Sequence, residues 1–297
     1  MPELASITLT SPSLTATFVP AAGMIGTSLT DGDAEFLGQR RGLAAYVSDA
    51  KTMGIPLLYP WANRLSAPAY TADGHTVELV SGENGVRFDS PGIPIHGVLA
   101  ANPDWVVTAR SESTLTAELA YDSPPLLASF PFPHRLIQAV TLTDRTLTIE
   151  TTVTPTADAA VPLCFGYHPY FVIPDAPRVD WRLTAPDMRR LPADDRGLPT
   201  GAHEAWAGRT ETLGSTLYDD GFDEVADGAV FVLEGGERRI EVVFEKGYPA
   251  AQLFAPGNND VVAIEPMAAP TDALRRGGYR VVAPGDSATA RFSVTIT

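Results

Sequence analysis

The chain has a single cysteine in 297 residues, Cys164, so no disulfide can close within it. That residue lies among aromatics and reads as a small buried apolar side chain. Positive charge is also scarce. There are 21 Lys and Arg against 36 Asp and Glu, a formal net charge of −15. Nucleic acid and anionic membranes both require clustered cations, so neither is an expected partner. Long apolar runs are missing too. Each candidate is broken by Gly, His or Pro before reaching the ~20 residues that a spanning helix needs. The opening Met1-Pro2-Glu3 lacks the basic-then-apolar pattern of a secretory leader. The expectation is a soluble cytoplasmic chain. Several catalytic signatures are absent as well. No Gly-x-Ser-x-Gly elbow occurs. Gly235-Gly236 and Gly277-Gly278 lack the spacing of a phosphate-cradling loop. No two histidines are close enough to form a ligand pair and no cysteine pair exists, so no metal site is indicated.

What is present is alternation. The 25 Gly and 26 Pro are spread along the chain, which argues against long helices. Short segments of period two recur instead. Residues 6–19 read as two strands around Ser11-Pro12-Ser13. Further strands are expected at 76–80, 105–109 and 115–121. Leu136 to Val153 alternates on both sides of Thr143-Asp144-Arg145, which is a hairpin signal. Residues 239–244 are expected to pair with 251–254 across Lys246-Gly247, and 289–296 alternates again. Thr271 is placed to cap one short helical turn before Gly277-Gly278. With 44% hydrophobic residues and no linker-like tract, the prediction is one all-β domain over 1–297. Two large stacked antiparallel sheets are its simplest form.

Five segments pin polar residues inside apolar, Pro- or Gly-rich surroundings. In Phe165-Gly166-Tyr167-His168-Pro169-Tyr170-Phe171, Pro169 stiffens the backbone at His168, and Gly166 allows a close neighbour. The aromatics make a half-polar wall suited to a sugar ring. His168 is either a core histidine or an acid–base group aimed at a small polar ligand. The second segment is Tyr59-Pro60-Trp61-Ala62-Asn63-Arg64, where Arg64 is a salt-bridge partner or a ligand clamp. The third is Ile95-His96-Gly97. The fourth is Tyr218-Asp219-Asp220-Gly221-Phe222, whose composition also suits a plain turn. The fifth is Val261-Val262-Ala263-Ile264-Glu265-Pro266. A carboxylate ending an apolar strand loses hydration, which raises its pKa and makes it a candidate base. The alternative is a Glu at a strand end facing solvent. His75, His134 and His203 receive no role, His134 reading as a structural strand opener.

Taken in order, these segments resemble the aldose 1-epimerases, also called galactose mutarotases, and most closely a bacterial branch with a Tyr-Pro-Trp-x-Asn-Arg motif. Trp105, Phe130-Pro131-Phe132, Gln252 and Thr271-Asp272-Ala273 extend the resemblance nearly end to end. It implies an all-β supersandwich of large antiparallel sheets with a sugar cleft on one face. It implies Glu265 as general base and His168 as general acid. His96 matches a second histidine that bonds the sugar near its ring oxygen. Asn63 and Arg64 match substrate-binding positions, as do Asp219 and Gln252, with the choice between Asp219 and Asp220 left open. The implied partner is a monosaccharide, with no cofactor, bound by a monomer or homodimer. Two departures stand out. Ala22-Gly23-Met24 replaces an expected double glycine, and the stretch between Asp219 and Glu265 is short. A related branch takes hexose 6-phosphates and needs cations around its cleft. Arg40-Arg41 and Arg275-Arg276 are the candidates, but they read as solvated pairs, and the net charge favours an unphosphorylated sugar. Two rivals are a carbohydrate-binding protein without chemistry, and a glycoside hydrolase using Glu265 with Asp219 as its two carboxylates.

Overall fold

The computed structural model describes residues 4–297. Strands dominate, as the alternation predicts, but among the described residues they form five antiparallel sheets rather than two. The largest has nine strands. From one edge they run Arg209–Thr212, Arg182–Ala185, Ala229–Gly235, Arg238–Lys246, Ala288–Ile296, Thr146–Pro155, His134–Thr143, Thr114–Tyr121 and Val106–Arg110. The hairpin expected around Thr143-Asp144-Arg145 lies inside it, with Leu142 opposite Leu147 and Leu136 opposite Val153. An eight-stranded sheet stacks against it and carries the candidate site. Its central strands are Tyr218–Asp223, Ala250–Ala255, Val262–Met267 and Gly166–Tyr167. A four-stranded sheet holds the N-terminal pair Ile7–Thr10 and Thr15–Val19. Two two-stranded sheets complete the set, the hairpin Ala69–Ala72 with His75–Glu78 and the distant pair Val161–Leu163 with Arg280–Val282.

One pairing differs from the sequence prediction. Arg238–Lys246 does not pair with Ala250–Ala255. It pairs with Ala229–Gly235 and Ala288–Ile296 in the nine-stranded sheet, while Ala250–Ala255 belongs to the eight-stranded one. Both segments alternate correctly, and alternation specifies a face but not a partner. Between them Gly247, at φ 82°, passes so close to Ala290 that a Cβ there would lie 2.8 Å from the Ala290 Cβ. The chain crosses between sheets at this point instead of turning back. The short helix near the C-terminus forms at Ala273–Arg276 and ends at Gly277, as predicted. Its N-cap is Asp272 rather than Thr271, and no side-chain oxygen caps it. Two helices had no sequence signal, Gly42–Asp49 and Pro124–Ser129.

The core lies between the two large sheets. In Ala250–Ala255, Ala251, Leu253 and Ala255 join it, and in Val262–Met267 so do Val262 and Ile264. Period-two geometry therefore sends Gln252 and Phe254, and Ala263, Glu265 and Met267, to the opposite face. His134 opens its strand as expected. It is buried between Tyr59 and the Phe132 carbonyl and stacks on Tyr121 at 4.6 Å. Cys164 is buried and unpaired. His75 and His203 are exposed.

Candidate active site

The face of the eight-stranded sheet turned away from the core holds three of the candidate residues as lateral neighbours. Gln252 lies opposite Glu265 on one side and Gly221 on the other, and Asp219 lies opposite Phe254. A Cβ at Gly221 would come within 3.1 Å of Gln252 Oε1, so glycine there leaves room for the amide. Gln252 Nε2 donates to Asp219 Oδ1 over 2.7 Å. Asp220 points to the other face, where it accepts from Arg190 at 2.7 Å. Strand register thus decides between the two aspartates.

Loops bring the remaining groups over this face. His168 sits between the short strands Gly166–Tyr167 and Tyr170–Phe171, its N–H donating to the Pro56 carbonyl. Gly166 admits the neighbouring strand as expected, since a Cβ there would lie 2.7 Å from the Pro266 carbonyl oxygen. Asn63 and His96 both have left-handed backbones, at φ 54° and 61°. The His96 N–H donates to the Asn63 carbonyl over 2.9 Å, and Arg64 bridges to Ile95. Two non-glycine residues held in this sparsely populated conformation, side by side at a cleft, mark a place where surrounding structure sustains strain. Gly97, at φ 66°, follows them. Its hypothetical Cβ would be 2.0 Å from the Tyr59 carbonyl oxygen, so only glycine fits.

Asn63, Arg64, His96, His168, Asp219, Gln252 and Glu265 all line one cavity of about 150 Å³, together with Ile95, Tyr170 and Phe254. Every candidate site residue read from the sequence is therefore gathered in one place. The volume is below the roughly 300–1,000 Å³ of clefts for drug-sized ligands. Wider surface hollows, such as the one between Thr10 and Asp144, lack a buried acid–base pair.

At the bottom of the cavity, His168 Nε2 lies 3.3 Å from Glu265 Oε1. Glu265 is 1% exposed and His168 6% exposed, so the carboxylate is inside the strand face and not at a solvated end. Burial pushes the Glu265 carboxyl well up. The nearby Asp219 charge adds to this and Arg64 opposes it. Burial pushes His168 well down, reinforced by His96 and Arg40. His96 is lowered to about 3 by burial, with Arg87 and Arg64 contributing, so it is neutral at ordinary pH. Asp219 is raised by burial against the pull of Arg64 and Gln252. Arg64 is aimed by Asp89, whose Oδ2 accepts from its Nε at 2.6 Å, and Gly197 leaves space for the guanidinium. Glu265 Oε2, His168 Nδ1 and His96 Nδ1 are buried without a hydrogen-bond partner. Unpaired buried polar atoms on three residues that line one cavity, among the described residues, point to a polar site. Among the described residues, no group of three or more His, Cys, Asp or Glu side chains is placed to hold a metal ion.

The family profile described as aldose 1-epimerase matches residues 5–295. The chain belongs to the aldose 1-epimerase family. Its match to the Escherichia coli K12 protein YphB is 24% identical over 261 residues, 80% of this chain and 82% of YphB. The fold superposes on the Slr1438 protein of Synechocystis sp. PCC 6803 with a TM-score of 0.81 at 23% identity, covering 99% of this chain and 96% of that one. A galactose mutarotase-like protein of Clostridium acetobutylicum gives a TM-score of 0.83 at 17% identity, covering 98% and 95%. Aldose 1-epimerase membership fits the all-β architecture expected from the sequence.

Three groups around the cavity had little or no sequence signal. Asp89 holds Arg64, and nothing in its local sequence marks it. Thr52 lies 2.7 Å from the Tyr170 hydroxyl. Arg40, expected as a solvated cation, is exposed but stands 4.7 Å over the Tyr170 ring and 6.0 Å from that of Phe254. Of the other pair, Arg276 bonds Asp272 and Arg275 donates to the Ala69 carbonyl, so both have structural partners.

Proposed function

We propose that this aldose 1-epimerase family member interconverts the α and β anomers of a free aldose of the glucose or galactose type. The observation that carries this reading is the buried His168–Glu265 pair at 3.3 Å, inside a cavity lined by Arg64, Asp219 and Gln252. A carboxylate and an imidazole with opposed shifts form the pattern of an acid–base couple sharing one proton.

One shared proton is what the reaction requires. With Glu265 ionised and His168 protonated, Glu265 takes the proton of the anomeric hydroxyl and His168 gives its proton to the ring oxygen. The bond from the first carbon to the ring oxygen breaks. The product is an open-chain aldehyde with a free hydroxyl at the former ring position. Glu265 is now neutral and so is His168, the state burial favours for both. Rotation about the bond between the first and second carbons exposes the other aldehyde face. Reclosure returns each proton by the reverse path and gives the other anomer. Arg64, Asp219 and Gln252 hold ring hydroxyls, and neutral His96 and Asn63 contact the sugar near its ring oxygen. Positioned proton transfer contributes typically ~10²–10⁴-fold, which suits a reaction that also proceeds unaided in water.

A hexose 6-phosphate is a second reading, favoured by Arg40. This exposed cation stands over the ring of Tyr170, a cavity-lining residue, without a carboxylate partner among the described residues. Polarimetry on freshly dissolved α-glucose, α-galactose and glucose 6-phosphate tests both. The expected result is faster decay of optical rotation on a neutral sugar, lost in Glu265→Gln and His168→Asn. Acceleration confined to the phosphate would establish the second reading. No acceleration on any of the three would remove the enzymatic reading.

A further inference from the structure

His168 lacks the support that usually aims a working imidazole. Its Nε2 is the cavity nitrogen, facing Glu265 at 3.3 Å. Its Nδ1 is buried and has no hydrogen-bond partner among the described residues. In most functional histidines the far nitrogen is tied to a carbonyl or carboxylate, which sets both the ring orientation and the tautomer. Here the one such contribution comes from the residue's own backbone carbonyl, which forms no well-aligned hydrogen bond to Nδ1, so another contact must fix the ring.

The groups packed on the ring single out one residue. Phe254 and His96 meet the imidazole edge-on, at 5.8 Å and 82° and at 5.6 Å and 73°. Tyr170 stacks on it at 4.3 Å and 19°. The Tyr170 hydroxyl also lies 3.1 Å from Nε2. That hydroxyl is 2.7 Å from Thr52 Oγ1, in the segment after the helix Gly42–Asp49. A chain of three polar atoms runs from the cavity nitrogen to a half-buried threonine.

We propose that Tyr170, backed by Thr52, is the positioning residue of His168, fixing its ring by stacking and keeping Nε2 hydrogen-bonded in either protonation state. This rests on the anomer-interconverting reading. When Nε2 is bare, the Tyr170 O–H donates to it and the Thr52 O–H donates to the Tyr170 oxygen. When Nε2 carries a proton, its N–H donates to the substrate oxygen or to the Tyr170 oxygen, and the Tyr170 O–H turns to Thr52 Oγ1. Each hydroxyl exchanges donor and acceptor roles by rotating about its own C–O bond. No proton leaves the pair and neither oxygen becomes charged. A carboxylate in the same position could only accept, and would hold the imidazole in its charged form. A reaction that loads and unloads one nitrogen in each turnover needs a partner indifferent to the direction. The charged and titratable groups facing His168 from packed elements are Glu265, His96 and Arg40. Arg40 can only donate, and Glu265 changes its own charge in each turnover, so neither is a neutral partner to Nε2 in both states.

The test uses Tyr170→Phe, which keeps the stacked ring, and Thr52→Val, which keeps the shape of the threonine. Three readouts are compared with wild type: anomer interconversion, its pH profile, and the ¹⁵N signals of the His168 ring. The expectation for Tyr170→Phe is a kcat loss of about tenfold, one neutral hydrogen bond, with KM within about twofold. Its pH profile should shift, and the ¹⁵N signals should report a changed tautomer balance. Thr52→Val should change both in the same direction by less. The double variant should be no worse than Tyr170→Phe, because both act through one chain. Wild-type kcat, pH profile and ¹⁵N signals in Tyr170→Phe would overturn the proposal. If Tyr170→Phe fails to fold, unchanged ¹⁵N signals in Thr52→Val would overturn it, and a changed tautomer balance would support it. The ¹⁵N readout needs no turnover. Absence of epimerase activity would strike the functional reading alone, and the ring signals would still decide the role of Tyr170.

Discussion

Asp219 and Asp220 are adjacent, identical in chemistry, and opposite in what they do. Asp219 accepts from Gln252 on the cavity face, and Asp220 pairs with Arg190 on the other. The difference follows from the half-turn per residue of an extended strand. We expect Asp219→Asn to raise KM for the sugar by about tenfold, the loss expected of a hydrogen bond to a charged group. Asp220→Asn should leave KM unchanged and cost up to about 1 kcal/mol of stability, as for a partly exposed ion pair. Steady-state kinetics on both variants checks this, and equal effects on KM would show that the register argument fails. At the residue scale the sequence was informative where a polar group stood in apolar surroundings. His168, His96 and Glu265 were recognisable for that reason. Asp89 and Thr52 were not, because an Asp in a polar loop and a Thr near a helix end look the same whether or not they hold a functional neighbour.

Among the elements, the loop Ile95-His96-Gly97-Val98 shows how tightly backbone and site are tied. Val98 N–H donates to the Tyr59 carbonyl at 2.7 Å, and Gly97 passes over that carbonyl with no space for a side chain. Gly97→Ala adds a methyl at that contact and also forces a left-handed backbone on alanine. We expect a loss of about 3 kcal/mol or more, together with displacement of His96. Urea unfolding measures the first part, and a midpoint equal to wild type would show that the loop has another way to pass Tyr59. The strands that alternation marked were found, among them the hairpin read over 136–153, whose register came from the structure. Partner choice was not. The segment 238–246 alternates as well as any, yet its neighbours come from 229–235 and 288–296. A pattern of faces carries no information about which distant edge is free.

For the whole molecule, the acidic balance says little about the site, because the cavity sets its own electrostatics. Arg64, Arg40 and Arg87 all act on its histidines. Burial keeps several histidines neutral, and this has a consequence for stability. His134 is lowered to about 4 by burial, against an unfolded value of ~6.5. Below pH 6.5 the unfolded chain takes a proton at His134 that the folded chain refuses. This contribution is therefore complete above pH 6.5 and is lost as pH falls towards 4. Glu265, raised by burial, works in the opposite direction, so a single-site comparison is needed. Between pH 7 and pH 5, wild type should lose about 2 kcal/mol more than His134→Gln, which keeps polar atoms but does not titrate. Denaturant unfolding at the two pH values measures the difference, and parallel losses would place the His134 pKa near its ordinary value.

The sequence by itself determined the strand-rich class, the positions of the clearly alternating strands, the absence of an internal disulfide, and the residue types at the site. These depend on local chemistry: period two, turn residues, and polar groups stranded in apolar segments. Tertiary structure decided the number of sheets, the partner of each strand, the choice of Asp219 over Asp220, and the company His168 keeps. Those depend on which residues distant in sequence share space. The pair at the centre, His168 and Glu265, is 3.3 Å apart in space and separated by almost a hundred residues of chain. Each of the two was visible in its own segment, but their contact exists only because Gly166–Tyr167 and Tyr170–Phe171 both dock against Val262–Met267.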